Sequence, residues 1–133
     1  MKGEKLREVL FIALAGALGT LSRYGLMGAA QKIAGTSFPH STLLVNIAGS
    51  VLIGYIMYIG LNSDVIPRSL RVVATVGFLG AFTTFSTFSY ETVRYLEDGV
   101  WLSAAVNVIS NVGLGILAVL LGVFLGRVTL GGV

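Results

Sequence analysis

Residues 80–90 combine hydroxyl groups and aromatic rings without any charge, and they read GAFTTFSTFSY. The stretch holds three Thr, two Ser, three Phe and one Tyr. Hydroxyl groups donate hydrogen bonds, and the edge of a Phe ring carries partial positive charge. Donors and ring edges without fixed charge suit a small, hard anion that accepts strong hydrogen bonds.

The same stretch also predicts an interrupted helix. On a continuous helix, Thr83, Thr87 and Tyr90 would share one face, and the three Phe would step along another. Ser and Thr can bond back to helix carbonyls, and Gly77 and Gly80 weaken the helix just before them. Freed backbone groups at membrane depth are tolerated only inside protein or beside a water-filled cavity. Broken helices of this kind present carbonyls that can hold a cation such as sodium.

Other uncharged polar side chains lie inside apolar segments of the chain. Thr42 and Asn46 are four residues apart, as are Asn107 and Asn111, so each pair shares one face of a helix. Ser110 lies next to the second pair. An isolated Asn could serve only to bond helices together. Three Asn with neighbouring hydroxyls instead favour a polar seam through the membrane.

Two charged residues lie within or at the end of these segments. Arg23, late in the first segment, cannot be neutralised in practice. It either extends to the lipid headgroups or attracts an anion into a vestibule. Glu91 lies at the end of the third segment. A proton-coupled carrier would need a titratable group in mid-membrane, and the sequence offers none there.

The elements that carry these residues are four apolar segments, which span residues 9–30, 42–60, 70–90 and 100–126. Each is close to the ~20 residues that a helix needs to cross a bilayer. Of the 133 residues, 55% are hydrophobic and only 11% are charged, whereas about 25% of a soluble domain is charged. We therefore predict an all-α integral membrane protein with four transmembrane helices, the third broken near its middle. Residues 1–133 are expected to form one four-helix transmembrane domain.

Composition argues against several classes of protein. The chain has no Cys and one His, which excludes a disulfide framework and a His-cluster metal site within one chain. Its basic residues are scattered and its net charge is only +3, so nucleic-acid binding is not expected. No nucleophile–base pair is visible, so an enzyme is not expected either. The basic start of the chain is similar to a signal peptide, but its apolar stretch continues to about residue 30, which favours a span.

Two functions remain as alternatives to an anion pathway. A small four-helix dimeric multidrug-type transporter would need a membrane-embedded carboxylate in its first helices, and the sequence has none there. A membrane scaffold subunit would use the polar seam only to hold its helices together.

Three longer motifs connect these features to a known family: GALGTLSRY in the first segment, TLLVNIAGS in the second and GFLGAFTTFSTFSYE in the third. With them, the chain resembles the Fluc (CrcB) fluoride channels over essentially its whole length. The resemblance implies an antiparallel, dual-topology homodimer in the cytoplasmic (inner) membrane, with two fluoride pores along its interface. It also implies passive, selective fluoride export that protects a microbe from accumulated fluoride.

The resemblance implies roles for individual residues as well. Phe85 and Phe88 would contact fluoride with their ring edges, and Asn46 would be the amide donor of the pore. The backbone carbonyls of Gly80 and Thr83 would hold a structural sodium ion at the dimer centre. Residues that match or adjoin the motifs are assigned too: Arg23 to the anion vestibule, and Thr42, Ser86, Thr87 and Glu91 to the pore.

The fourth segment and the charge distribution depart from the family pattern. Family members often have a Tyr and then a Ser one helical turn apart. Here Asn107 and Asn111 occupy those positions, and we assign them to the pore together with Ser110. Six Lys or Arg lie on the side of the termini, against two on the other side and Arg23 within the first span. This bias favours a cytoplasmic N-terminus, and it leaves open a heterodimer with an oppositely oriented homologue.

Overall fold

Four long helical segments make up most of the computed structural model, which describes residues 2–34 and 40–131. They are α1 (Lys2–Ala34), α2 (His40–Asn62), a third segment (Arg68–Glu97) and a fourth segment (Trp101–Thr129). Each is long and apolar enough to cross a membrane. The predicted all-α architecture with four spans is confirmed.

The third and fourth segments are not uniform α-helices. The third consists of α3, built from Arg68–Val72, π-helical Val73–Leu79 and a last turn Gly80–Phe82, followed by α4, Phe85–Glu97. The fourth is α5, built from Trp101–Ile109, π-helical Ser110–Leu114 and Gly115–Thr129. A π-helical turn holds more residues than an α-helical one and so rotates the side chains that follow it. The sequence pattern did not predict these two π-helical pieces.

The third segment is broken at Thr83 and Thr84, as the sequence predicted. Their backbone is extended, with φ and ψ of −82° and 160° at Thr83 and of −147° and 111° at Thr84. The break begins after Gly80, which itself keeps helical angles. Thr84 is the N-cap of α4, since its hydroxyl accepts a hydrogen bond from the Thr87 N–H over 3.2 Å. This is the usual side-chain replacement for a missing helix carbonyl.

The helices extend past the apolar segments that predicted them. α1 has 33 residues, which at 1.5 Å per residue is about 50 Å. The hydrocarbon core of a bilayer is only about 30 Å thick. Polar residues at the ends of the segments can continue the helix because the headgroup layer accepts their charges. The third segment likewise continues beyond residue 90 to Glu97.

Glycines allow neighbouring helices to touch backbone to backbone. A side chain on Gly19 of α1 would collide with the carbonyl of Phe78 in α3. A side chain on Gly122 of α5 would collide with the carbonyl of Val51 in α2. Small residues permit such approach where lipid supplies no hydrophobic drive between helices. Gly19 and Gly122 therefore permit the close approach at both crossings.

Large apolar side chains cover much of the outer surface. Only 6% of the most apolar 18-residue window of α1 is buried, and 11% of that of α5. The described core is a small cluster around Val45, Leu79 and Phe82. An apolar surface of this extent belongs against lipid or another protein chain rather than water.

Candidate functional site

An open cleft of about 370 Å³ lies beside the break, between α2, the third segment and α5. Its lining combines amide, hydroxyl and aromatic groups and contains no charged side chain. The principal polar and aromatic groups come from Asn46, Thr83, Thr84, Phe85, Phe88 and Asn111. The structure thus brings together residues of three spans that the sequence assigned to one polar seam.

Asn46 holds the unwound residue Thr84 by both of its backbone groups. The Thr84 N–H donates to Asn46 Oδ1 over 2.9 Å, and Asn46 Nδ2 donates to the Thr84 carbonyl over 3.2 Å. Asn46 Nδ2 also donates to Asn111 Oδ1 over 3.0 Å. An amide nitrogen carries two hydrogens, so both are used within the protein. An anion that took a hydrogen bond from Asn46 would have to replace one of these two acceptors.

The break frees the two carbonyls that were predicted to hold a cation. In a continuous helix, the N–H groups of Thr84 and Thr87 would donate to the carbonyls of Gly80 and Thr83. Here the first donates to Asn46 Oδ1 and the second to Thr84 Oγ1. Gly80 and Thr83 both line the cleft. Two backbone oxygens without their helical donors are suitable ligands for a hard cation.

Asn107 and Asn111 continue the hydrogen bonds away from the cleft. Asn111 Nδ2 donates to Asn107 Oδ1, and Asn107 Nδ2 donates to Thr92 Oγ1, each over 3.0 Å. The Thr92 hydroxyl donates to the Phe88 carbonyl over 2.9 Å. Asn111 lines the cleft, whereas Asn107 is fully buried behind it. The pore assignment of Asn107 stays a prediction that this position does not favour.

Phe85 and Phe88 are the two rings of the cleft, and their surroundings differ. Their centroids are 5.5 Å apart and their planes are tilted by 59°. Phe88 is buried, with 8% of its surface exposed, while Phe85 is 78% exposed. One chain therefore leaves most of the Phe85 ring available to lipid or to another chain.

Thr42 and Glu91 form a separate pair one helical turn from Asn46. The Thr42 hydroxyl donates to Glu91 Oε1 over 2.5 Å, and Thr42 is fully buried. Glu91 Oε2 is also buried and accepts no hydrogen bond from the described residues. Neither residue lines the cleft. Their assignment to the pore stays a prediction.

The remaining predicted residues do not line the cleft. Thr84 Oγ1 donates to Thr87 Oγ1 over 2.9 Å and lies 3.4 Å from Ser86 Oγ, so these hydroxyls cluster at the start of α4. Ser110 and Arg23 are partly exposed and lie outside the lining. Their roles in the pore and vestibule stay predictions.

Thr84 and Thr92 were missed when the site was assigned from the sequence. Thr is a preferred N-cap residue, and Thr84 stands directly before the residues that form α4. Thr92 follows Phe88 by four residues, the spacing at which a Thr hydroxyl bonds back to a helix carbonyl. Neither signal says that an Asn of another helix will bond the same residue.

The described residues contain no cluster of three or more His, Cys, Asp or Glu that could hold a metal ion. Any cation bound by these residues would depend on carbonyl and hydroxyl oxygens.

The model of the family described as "CrcB-like protein, Camphor Resistance (CrcB)" matches residues 10–123. The chain belongs to the CrcB family. This confirms the resemblance drawn from the three sequence motifs.

Relatives of this CrcB chain match it over nearly their whole length. A protein of Geobacter metallireducens is 50% identical over 119 residues, which cover 90% of this chain and 96% of the relative. One of Citrifermentans bemidjiense is 48% identical over 122 residues, covering 92% and 98%. One of Dehalococcoides mccartyi is 47% identical over 119 residues, covering 90% and 92%. All three are named "Fluoride-specific ion channel FluC". With its four apolar helices, this CrcB chain is a multi-pass membrane protein.

Proposed function

We propose that this chain is a fluoride-selective channel that exports fluoride passively across the cytoplasmic membrane. The observation that carries the proposal is the match to relatives named as fluoride-specific channels, which extends over at least 90% of this chain in the three described. The cleft supports it, because its lining offers hydrogen-bond donors and aromatic rings without any charged side chain. A lining of this chemistry suits a small anion that accepts strong hydrogen bonds.

We further propose that two antiparallel copies form the pores along their interface. The cleft is open, and Phe85 in its lining is 78% exposed in the single chain. A second copy would enclose the pathway and bury this ring. An oppositely oriented homologue could take the place of the identical copy, which the unequal distribution of Lys and Arg favours.

We also propose that the same arrangement holds a structural sodium ion. The carbonyls of Gly80 and Thr83 have lost their helical donors and line the cleft. Two such carbonyls from each of two copies would supply four oxygen ligands at the centre of the dimer. Oxygen ligands from interrupted helices are a common means of holding sodium in membrane proteins.

A flux assay on proteoliposomes tests the channel directly. Liposomes loaded with fluoride or chloride and containing the purified protein are expected to release fluoride rapidly and chloride negligibly. A fluoride or chloride electrode measures the release, and liposomes without protein give the background. A monodisperse, reconstituted protein that releases no fluoride would contradict the proposed function.

Removal of sodium tests the proposed cation site. Protein purified without sodium from the first step, with potassium in its place, is expected to form fewer dimers and to conduct less fluoride. Sedimentation in detergent measures the dimer, and the electrode assay measures conduction. Restoring sodium should recover both. Dimer content and conduction that are indifferent to sodium throughout would count against the Gly80 and Thr83 carbonyls as its ligands.

A further inference from the structure

The hydrogen bonds that join the three Asn side chains run in a single direction. We call these residues the amide ladder: Asn46, Asn111 and Asn107. The ladder begins at the Thr84 N–H, which can only donate, so Asn46 must turn its oxygen toward Thr84. Asn46 then donates to Asn111, and Asn111 donates to Asn107. The Thr84 N–H fixes the orientation of Asn46, and a second bond from Asn111 Nδ2 to the Asn107 backbone carbonyl, over 3.0 Å, fixes Asn111 in the same sense.

Both ends of the ladder bond to α4 or its N-cap. Asn107 donates to Thr92 Oγ1, and the Thr92 hydroxyl donates to the Phe88 carbonyl, which can only accept. Thr84 and Phe88 mark the cap and the first turn of α4. The ladder thus ties this turn at two points to side chains that belong to α2 and α5.

The tied turn is the one that carries both rings of the cleft. Phe85 lies between the two anchoring points and Phe88 is one of them, and both residues line the cleft. Thr92 and Asn107 do not line it, and Asn107 has no exposed surface. Neither can contact an ion in the cleft, yet both bond to groups that hold the first turn of α4.

We propose that Thr92 and Asn107 are positioning residues for the ion pathway. They hold the first turn of α4, and with it the Phe88 ring, at a set distance from Asn46. The Thr92 hydroxyl connects Asn107 to α4, because it accepts from Asn107 and donates to the Phe88 carbonyl. The proposal rests on the proposed channel function, since it says how the rings of that pathway are kept in place.

Thr92→Val tests this connection, because it keeps the shape of the side chain and removes only the hydroxyl. Asn107 Nδ2 and the Phe88 carbonyl each lose a partner, so the first turn of α4 is held less firmly and fluoride conduction should fall several-fold. Thr92→Ser keeps the hydroxyl and should conduct nearly as well as the unaltered protein. Thr129→Val is the matched control, since Thr129 makes the same kind of bond to a helix carbonyl, at Leu125, away from the cleft.

Hydrogen exchange supplies a measurement that does not depend on conduction. In Thr92→Val, backbone amides of residues 84–88 should exchange faster, while those of α1 keep their rates. Thr129→Val should leave residues 84–88 unchanged. If the unaltered protein conducts no fluoride, the channel proposal fails, but the exchange rates still decide whether the ladder holds α4. The positioning proposal is overturned if Thr92→Val leaves exchange at residues 84–88 unchanged, or if it leaves the conduction of a conducting protein unchanged.

Discussion

Replacing Asn46 with Leu is expected to abolish most fluoride conduction and to destabilise the fold. Asn46 accepts from the Thr84 N–H and donates to the Thr84 carbonyl and to Asn111. Leu can do neither, and the buried Thr84 would lose the group that pairs its backbone. An unpaired buried donor costs about 1–3 kcal/mol. Conduction should fall strongly, because Thr84 and with it the first turn of α4 are no longer held beside the cleft by the Asn46 amide.

Two further variants separate the possible reasons for this loss. Asn62→Leu is the matched control, because Asn62 is exposed and, among the described residues, donates to the Tyr58 carbonyl of its own helix. Its conduction should stay close to that of the unaltered protein. Asn46→Asp keeps an acceptor for the Thr84 N–H but removes the amide donor. Its unfolding temperature shows how much of the stability comes from the Thr84 N–H bond alone, whereas its conduction should be lost, because a carboxylate in the cleft repels an anion.

The electrode assay gives conduction, and thermal unfolding in detergent gives stability. An Asn46→Leu protein that conducts like the unaltered one would remove Asn46 from the pathway. It would also show that the break does not depend on the Asn46 amide.

The break itself could be anticipated from the sequence, but its exact geometry could not. Gly80 and the adjacent hydroxyls indicated that the third segment would be interrupted before Phe85. Thr83 and Thr84 are equally good N-caps by residue type. The choice of Thr84 depends on Asn46, a residue 38 positions away whose side chain bonds the Thr84 backbone. Local propensity carries no information about that long-range contact.

A long-range contact also explains why Asn111 lines the cleft and Asn107 does not. Four residues apart, they share a face of α5, so the sequence assigned both to the polar seam. Asn111 lies in the π-helical piece Ser110–Leu114, and Asn107 lies just before it. Whether a side chain on that shared face reaches the cleft depends on how α5 packs against α4. The Asn107 amide donates to Thr92 Oγ1, and the Asn107 side chain stays buried behind the lining.

Replacement of Phe85 and of Phe88 by Ile, one at a time, is expected to reduce fluoride conduction strongly in both cases. Ile stays apolar but has no ring edge with partial positive charge to offer an anion. The two variants should differ in stability. Phe88 is 8% exposed, so truncation there should cost about 1–3 kcal/mol, within the range of large-to-small core changes. Phe85 is 78% exposed, so its replacement should change the stability of the single chain little.

Phe85→Ile is therefore the sharper test of an anion-contacting ring. Lost conduction with unchanged unfolding temperature and dimer content cannot be assigned to lost packing, because both measurements would have shown it. Phe124→Ile is the matched control: Phe124 is 54% exposed on α5 and lies outside the cleft, and its replacement should leave conduction unchanged. Unchanged conduction in Phe85→Ile would instead make the ring an ordinary apolar contact with lipid or with the second copy. A fall in dimer content alongside conduction would place the ring in the dimer interface.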